Sequence, residues 1–143
     1  MNEEEVRQAL AALDMYRAQA ETLAEQQQLV QVSIEEYARA KETLSKWKDA
    51  AEESEILVPV GGNSFVFAKV SSNAKALVGI GTGLTIERPI EEALKTIDER
   101  VSELTTGLKK ITDSRTMVES RAAQLTQMVQ TEYDRLQQQA QGR

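Results

Sequence analysis

The sequence predicts a mostly α chain with a small β segment: a long antiparallel two-helix coiled coil joined by two β-hairpins that contribute to an oligomeric β-barrel. Three observations carry this. Mostly apolar residues recur at alternating spacings of 3 and 4 in two stretches, Val6, Ala9, Leu13, Tyr16, Ala20, Leu23, Gln27, Val30, Ile34, Tyr37, Lys41, Leu44 and then Leu94, Ile97, Val101, Leu104, Leu108, Ile111, Arg115, Val118, Ala122, Leu125, Val129, Glu132, Leu136, with Gln27, Lys41, Arg115 and Glu132 as the polar exceptions. A mean spacing of about 3.5 returns to one side of a slightly underwound helix, which is the seam of a coiled coil. Between the stretches lies one block of short β-branched and aromatic runs separated by turn residues. Two arms of nearly equal length that enter the same small block can lie side by side as a hairpin.

The first arm is expected as a helix from about residue 3 to about residue 53, on the order of 70–75 Å at roughly 1.5 Å per residue. Glycine and proline are absent from residues 1–58. Glu35–Arg39 and Glu42–Lys46 place an acid four residues before a base, the better orientation on a helix. The runs 56–60, 64–70, 75–81 and 84–90 then read as four strands. Gly61-Gly62-Asn63 and Gly81-Thr82-Gly83 supply the positive φ that tight hairpin turns need, and Ser71-Ser72-Asn73 connects the hairpins. Pro59 has no N–H for a ladder and belongs at an edge or a bulge. The second arm opens with Pro89 at the first helical position, where Glu91 and Glu92 complement the positive end of the helix dipole. It runs from 89 to about 139, with a Gln-rich end expected to fray and with Gly107 off the seam. An apex at residue 72 brings Gln27 near Arg115, a candidate polar layer that fixes register at some cost in stability.

Composition narrows the function. The chain has six aromatic residues in 143, is 28% charged, and carries a formal charge of -6. Such a chain is mostly solvated helical surface around a thin seam. Residues 1–53 hold twelve acids and six bases, 54–90 two and three, 91–143 nine and eight. No stretch is a basic patch, so nucleic acid is not an expected partner. With neither Cys nor His, the chain lacks the commonest general base, the usual activator of a Ser nucleophile and the usual transition-metal ligands. No catalytic, cofactor-binding or metal residue is therefore assigned, and the expectation is a non-enzyme without cofactors. The acidic start MNEEEVRQAL is neither a signal nor an anchor, and no 18-residue apolar run exists, so the expected setting is cytoplasmic, away from membranes.

The β block cannot be self-sufficient. Fourteen large aliphatic or aromatic side chains lie between Ile56 and Ile90. Those assigned to oligomer assembly are Ile56, Val58, Val60, Phe65, Val66, Phe67, Val70, Leu77, Val78, Ile80, Leu84 and Ile86. At about 1.5–3 kcal/mol per fully buried side chain, leaving half of the fourteen in water forfeits on the order of 10–20 kcal/mol. That is comparable with the net stability of a whole domain. Two hairpins also leave open edges. The strands should therefore pair with those of other subunits.

The order of arm, ILVPVGGNSFVFAKV, ALVGIGTGLTIERPIEEALKTIDERVSEL and second arm resembles the alpha class of the prefoldin family, in its archaeal form. The likeness covers almost the whole chain and is most specific over residues 56–104. It implies a single prefoldin-like domain over 1–143. It implies a hexamer of two alpha with four prefoldin beta subunits, whose hairpins form a double β-barrel platform bearing six coiled coils. The implied function is that of an ATP-independent holdase that captures unfolded or nascent polypeptides at the coiled-coil tips and delivers them to a group II chaperonin. On that reading the client-binding tips are Val6, Leu10, Leu13, Met128, Val129 and Leu136, with Glu132 weakening the end of the seam. For each of the six, packing in the coiled coil is the alternative. A structural coiled-coil tether or scaffold is the alternative for the chain.

Other features read as structural. In Gly79-Ile80-Gly81-Thr82-Gly83 a leucine stands where a dinucleotide loop needs its third glycine, and a strand follows, so a hairpin turn is the reading. Trp47 is read as packing at the sheet base, with a partner anchor as the alternative. Glu35-Glu36, Glu52-Glu53 and Glu91-Glu92 point apart on helices and read as solvated surface or caps.

Overall fold

Asn2 opens the first helix. Its Oδ1 accepts the Glu5 N–H at 2.8 Å, which satisfies one of the amides that a helix start leaves without partners, and its carbonyl accepts the Val6 N–H at 3.1 Å as the first helical bond. Acidic residues fill the first turn of α1 (Glu3–Asp49), where they complement the dipole. The structure, a computed structural model, describes residues 1–79 and 82–142. Ile80, assigned to assembly, and Gly81 lie outside the described residues. Four strands follow, β1 (Glu55–Gly61), β2 (Ser64–Lys69), β3 (Lys75–Gly79) and β4 (Thr85–Pro89), and then α2 (Ile90–Gln141). The strands form two separate antiparallel hairpins, β1–β2 and β3–β4.

Two compact units result, Val32–Thr106 and Met1–Gln31 with Gly107–Arg143. In the first, Val70, Val78, Ile90, Ala93 and Ile97 are buried. Lys41 Nζ meets Asp98 at 2.8 Å and Lys48 Nζ meets Glu91 at 3.6 Å. Lys41 thus lies outside the seam, exposed and paired with an acid. The backbone ladder of β1–β2 is extended by Glu53 N–H to the Val70 carbonyl at 2.6 Å and Val70 N–H to the Ser54 carbonyl at 3.0 Å. In the second unit, Ala9 and Leu13 are buried. The remaining seam positions from Val6 to Val30 and from Leu108 to Val129 are partly covered, as a two-helix seam without further layers requires.

Two boundaries move from their expected places. The first helix ends at Asp49 instead of about 53, because Glu53 adopts a φ of 66° and the chain turns before β1. Pro89 is the last residue of β4 and the helix starts at Ile90, whose N–H donates to the Ala74 carbonyl at 3.0 Å. The register follows the corrected ends. Lys41–Asp98 and Lys48–Glu91 in one unit, and Gln27–Thr112 in the other, are each symmetric about the bond between residues 69 and 70, as are Asp49 and Ile90, and not about residue 72. The C-terminal helix continues to Gln141, two residues past its expected end.

Gly107 sits inside α2 and a Cβ placed on it meets no atom within 4 Å. Alanine therefore gains helix propensity without a clash. Gly107→Ala is expected to stabilise the chain by about 1 kcal/mol, raising a circular-dichroism melting midpoint by roughly 2–6 °C. A lowered midpoint would contradict this account of the helix.

Candidate interaction surfaces

The first hairpin of the strand surface is built by a tight turn and one irregularity. In β1–β2, Pro59 faces Phe65 and Gly61 faces Ser64, with a shift of register between Pro59 and Gly61. The residue that cannot donate thus sits beside a break in the ladder. Gly62 and Asn63, with φ of 57° and 58°, form the two-residue turn. Positive φ at both central positions is the type I′ geometry whose twist matches the flanking strands. In the second hairpin Thr82 and Gly83 take φ of 54° and 77°. A left-handed conformation is uncommon for a β-branched residue.

Directly opposed residues share a face of a hairpin. Leu57 lies opposite Phe67 and Pro59 opposite Phe65, and this face is open, with Phe67 74% exposed. The other face carries Val58 opposite Val66 and Ile56 opposite Ala68; Ile56, Val58 and Ala68 are partly covered and Val66 is exposed. In β3–β4 the inward pair is Val78 with Ile86, buried and partly buried, whereas Leu77, opposite Glu87, is 73% exposed. Val60 and Leu84 are exposed as well. Val70 and Val78, assigned to assembly, instead lie inside the chain's own core: Val70 is wholly buried where β2 returns to the helix roots, and Val78 faces the buried side of its hairpin. A groove of about 660 Å³ runs between Tyr37, Ala40, Thr43 and Leu44 of α1, Pro59 to Gly61 of β1, Leu77 to Gly79 of β3, and Ile97 of α2.

The second surface belongs to the other unit. Of the residues assigned to the tip, Leu10, Met128 and Leu136 are exposed, at 45%, 49% and 52%. Val6 and Val129 are partly covered, and Leu13 is buried in the seam. Glu132 does not act as expected. Its carboxylate is buried and ion-paired, with Arg135 Nε donating to Oε2 at 3.2 Å and the Met1 amine 3.4 Å away. The hydrogen bond from Arg135 is the main cause that holds the Glu132 carboxyl below its ordinary range, with burial opposing it and the Met1 amine adding to it. The seam therefore ends in a charge clasp.

Below the tip, Arg115 Nη1 donates to Gln27 Oε1 at 2.8 Å and its Nε to Glu119 Oε1 at 2.8 Å, while Gln27 Nε2 reaches Thr112 Oγ1 at 3.4 Å. Gln27 and Arg115 do meet, through the length of the arginine side chain. A partly buried charge in a seam lowers stability and favours one pairing over its neighbours. Gln27→Leu with Arg115→Leu is expected to raise the melting midpoint by several degrees. It should also permit a second register, read by cross-linking introduced cysteine pairs in this otherwise Cys-free chain. An unchanged midpoint with a single register would refute the role of the layer.

Sequence reasoning missed the Asn2 cap, although Asn followed three residues later by Glu is a recognisable helix-start signature. It also missed the hydrogen bonds that tie the end of α1 to the connector between the hairpins. The Trp47 indole Nε1–H donates to the Ser72 carbonyl at 2.8 Å. Asn73 Nδ2–H donates to the carbonyls of Lys48 and Ala50, each at 3.0 Å. The Trp47 contact agrees with packing at the sheet base. Among the described residues no helix is long and apolar enough to cross a membrane.

The family model described as Prefoldin subunit matches residues 16–135. A prefoldin subunit alpha of Methanosarcina barkeri is 33% identical over 144 aligned positions, covering 99% of this chain and 97% of the relative. One of Methanothrix thermoacetophila is 38% identical over 109, covering 76% and 71%. Among solved structures, filamentous PFD of Methanocaldococcus jannaschii, determined by cryo-EM, superposes with a TM-score of 0.65 at 28% identity, covering 81% of this chain and 96% of that one.

Proposed function

Because the chain belongs to the prefoldin family of chaperone subunits, on its alpha side, we propose that it is the alpha subunit of an ATP-independent holdase. In this reading two copies assemble with four beta subunits through the strand faces. The tips of the coiled coils hold non-native polypeptides and pass them to a group II chaperonin in the cytoplasm. No cofactor takes part, and neither nucleic acid nor membrane is a partner.

The observation that supports this most is the open hairpin surface around Leu57, Phe65, Phe67 and Leu77, exposed in the lone chain. A soluble monomer rarely leaves so many neighbouring strand side chains in water. Separate two-stranded hairpins are also marginal without further strands. For the tips, support comes from Leu10, Met128 and Leu136 at the surface of the coiled-coil unit. Leucine and a flexible, polarizable methionine suit contacts with unrelated sequences.

The test is suppression of aggregation. The chain assembled with a beta subunit should protect several unrelated unfolded proteins at near-stoichiometric ratio without nucleotide. Protection confined to one dedicated partner would make the chain a structural tether instead.

A further inference from the structure

The second hairpin is attached to the rest of its unit in an unusual way. Among the described residues β3–β4 shares no strand pairing with β1–β2, so no common ladder fixes the angle between the hairpins. Its outgoing strand runs straight into α2. Its incoming side is the connector of Ser71, Ser72 and Asn73, and there the structure places three hydrogen bonds back to α1. Trp47 Nε1–H reaches the Ser72 carbonyl at 2.8 Å, and Asn73 Nδ2–H reaches the carbonyls of Lys48 and Ala50, both at 3.0 Å. The connector is braced internally as well, with the Ala74 N–H on Ser72 Oγ at 3.4 Å.

The last carbonyls of a helix have no partner within it and are ordinarily satisfied by the residues that follow. Here a side chain more than twenty residues away in sequence does so. The cap of α1 and the departure point of the second hairpin are therefore one feature. Trp47 and Asn73 are both partly buried, and of the three bonds the one from Asn73 to the Ala50 carbonyl is itself partly buried, where water competes less for the acceptor. The hairpin retains a second hold through buried Val78.

We propose that Trp47 and Asn73 are positioning residues, which strap the second hairpin to the end of α1 in the pose that assembly with other subunits requires. This rests on the reading that the strand faces are assembly surfaces. The strap itself touches no partner; it acts through the placement of Leu77 and its neighbours.

Two variants test it in the full chain. Asn73→Asp keeps the shape but replaces the donating amide by an acceptor aimed at two carbonyls. Trp47→Phe keeps an aromatic ring and removes the indole N–H. For each, amide hydrogen exchange should accelerate about tenfold or more in residues 75–79 and 85–89 and stay unchanged in 55–61 and 64–69. The helical circular-dichroism signal should be retained. The concentration at which the complex with beta subunits half dissociates, measured by mass photometry, should rise about tenfold. Unchanged exchange in β3–β4, acceleration spread equally over both hairpins, or an unchanged dissociation point with altered exchange would each overturn the proposal. Should the wild-type chain itself fail to assemble, the assembly reading falls, and the strap is then decided by the confinement of the exchange effect alone.

Discussion

Phe67→Asp is expected to abolish assembly while leaving the helical signal of the lone chain intact. Phe67 is 74% exposed and lies opposite Leu57 on the open face of β1–β2, so its removal takes little from the chain's own packing. In a closed assembly the same ring would be buried, worth about 1.5–3 kcal/mol per site. Putting a carboxylate there adds a further penalty of several kcal/mol for an unpaired charge in an apolar interface. Because every alpha copy carries the change, the effects accumulate over the complex. Native mass spectrometry with a beta partner should then find free chains where the wild type gives a complex. A variant that assembles normally would place the interface elsewhere.

The second large effect belongs to the tips. Deleting residues 1–10 and 134–143 removes Val6, Ala9, Leu10 and Leu136, together with Arg135, which holds Glu132. Aggregation protection should fall about tenfold or more, with the assembled mass reduced only by the deleted residues. A point variant separates surface from packing. Leu10→Ser with Met128→Ser and Leu136→Ser alters only exposed side chains and leaves Leu13 and Val129 in the seam. A loss of about 1 kcal/mol of client contact per side chain corresponds to about fivefold in affinity each. Full protection by both variants would remove the tips from the client surface.

The two seams, the strand number and the turns were legible because each depends on local chemistry. A repeat of 3 and 4 has one helical meaning, Gly62-Asn63 has the φ preferences of a type I′ turn, and Pro59 can only break a ladder. What was not legible depended on contacts distant in sequence. The premature end of α1 follows the chain's turn at Glu53, and Asn73 supplies a distant cap; neither leaves a mark in residues 49–53 that outweighs good helix propensity. The register moved with that boundary. Glu132 was misjudged for a similar reason: its burial depends on the Met1 amine as well as on Arg135, three residues ahead of it. Val70 and Val78 read like any other strand valine, since a hydrophobic pattern does not say whether a face will be covered by the same chain or by another.

Among the described residues each hairpin is a two-stranded ribbon with no third strand of its own chain beside it. Ribbons of that kind draw much of their free energy from whatever docks on them. Mass action then enters the stability of the fold: the unfolding midpoint should climb with protein concentration, and the chain's half-life in a dilute mixture should depend on how much cognate subunit surrounds it.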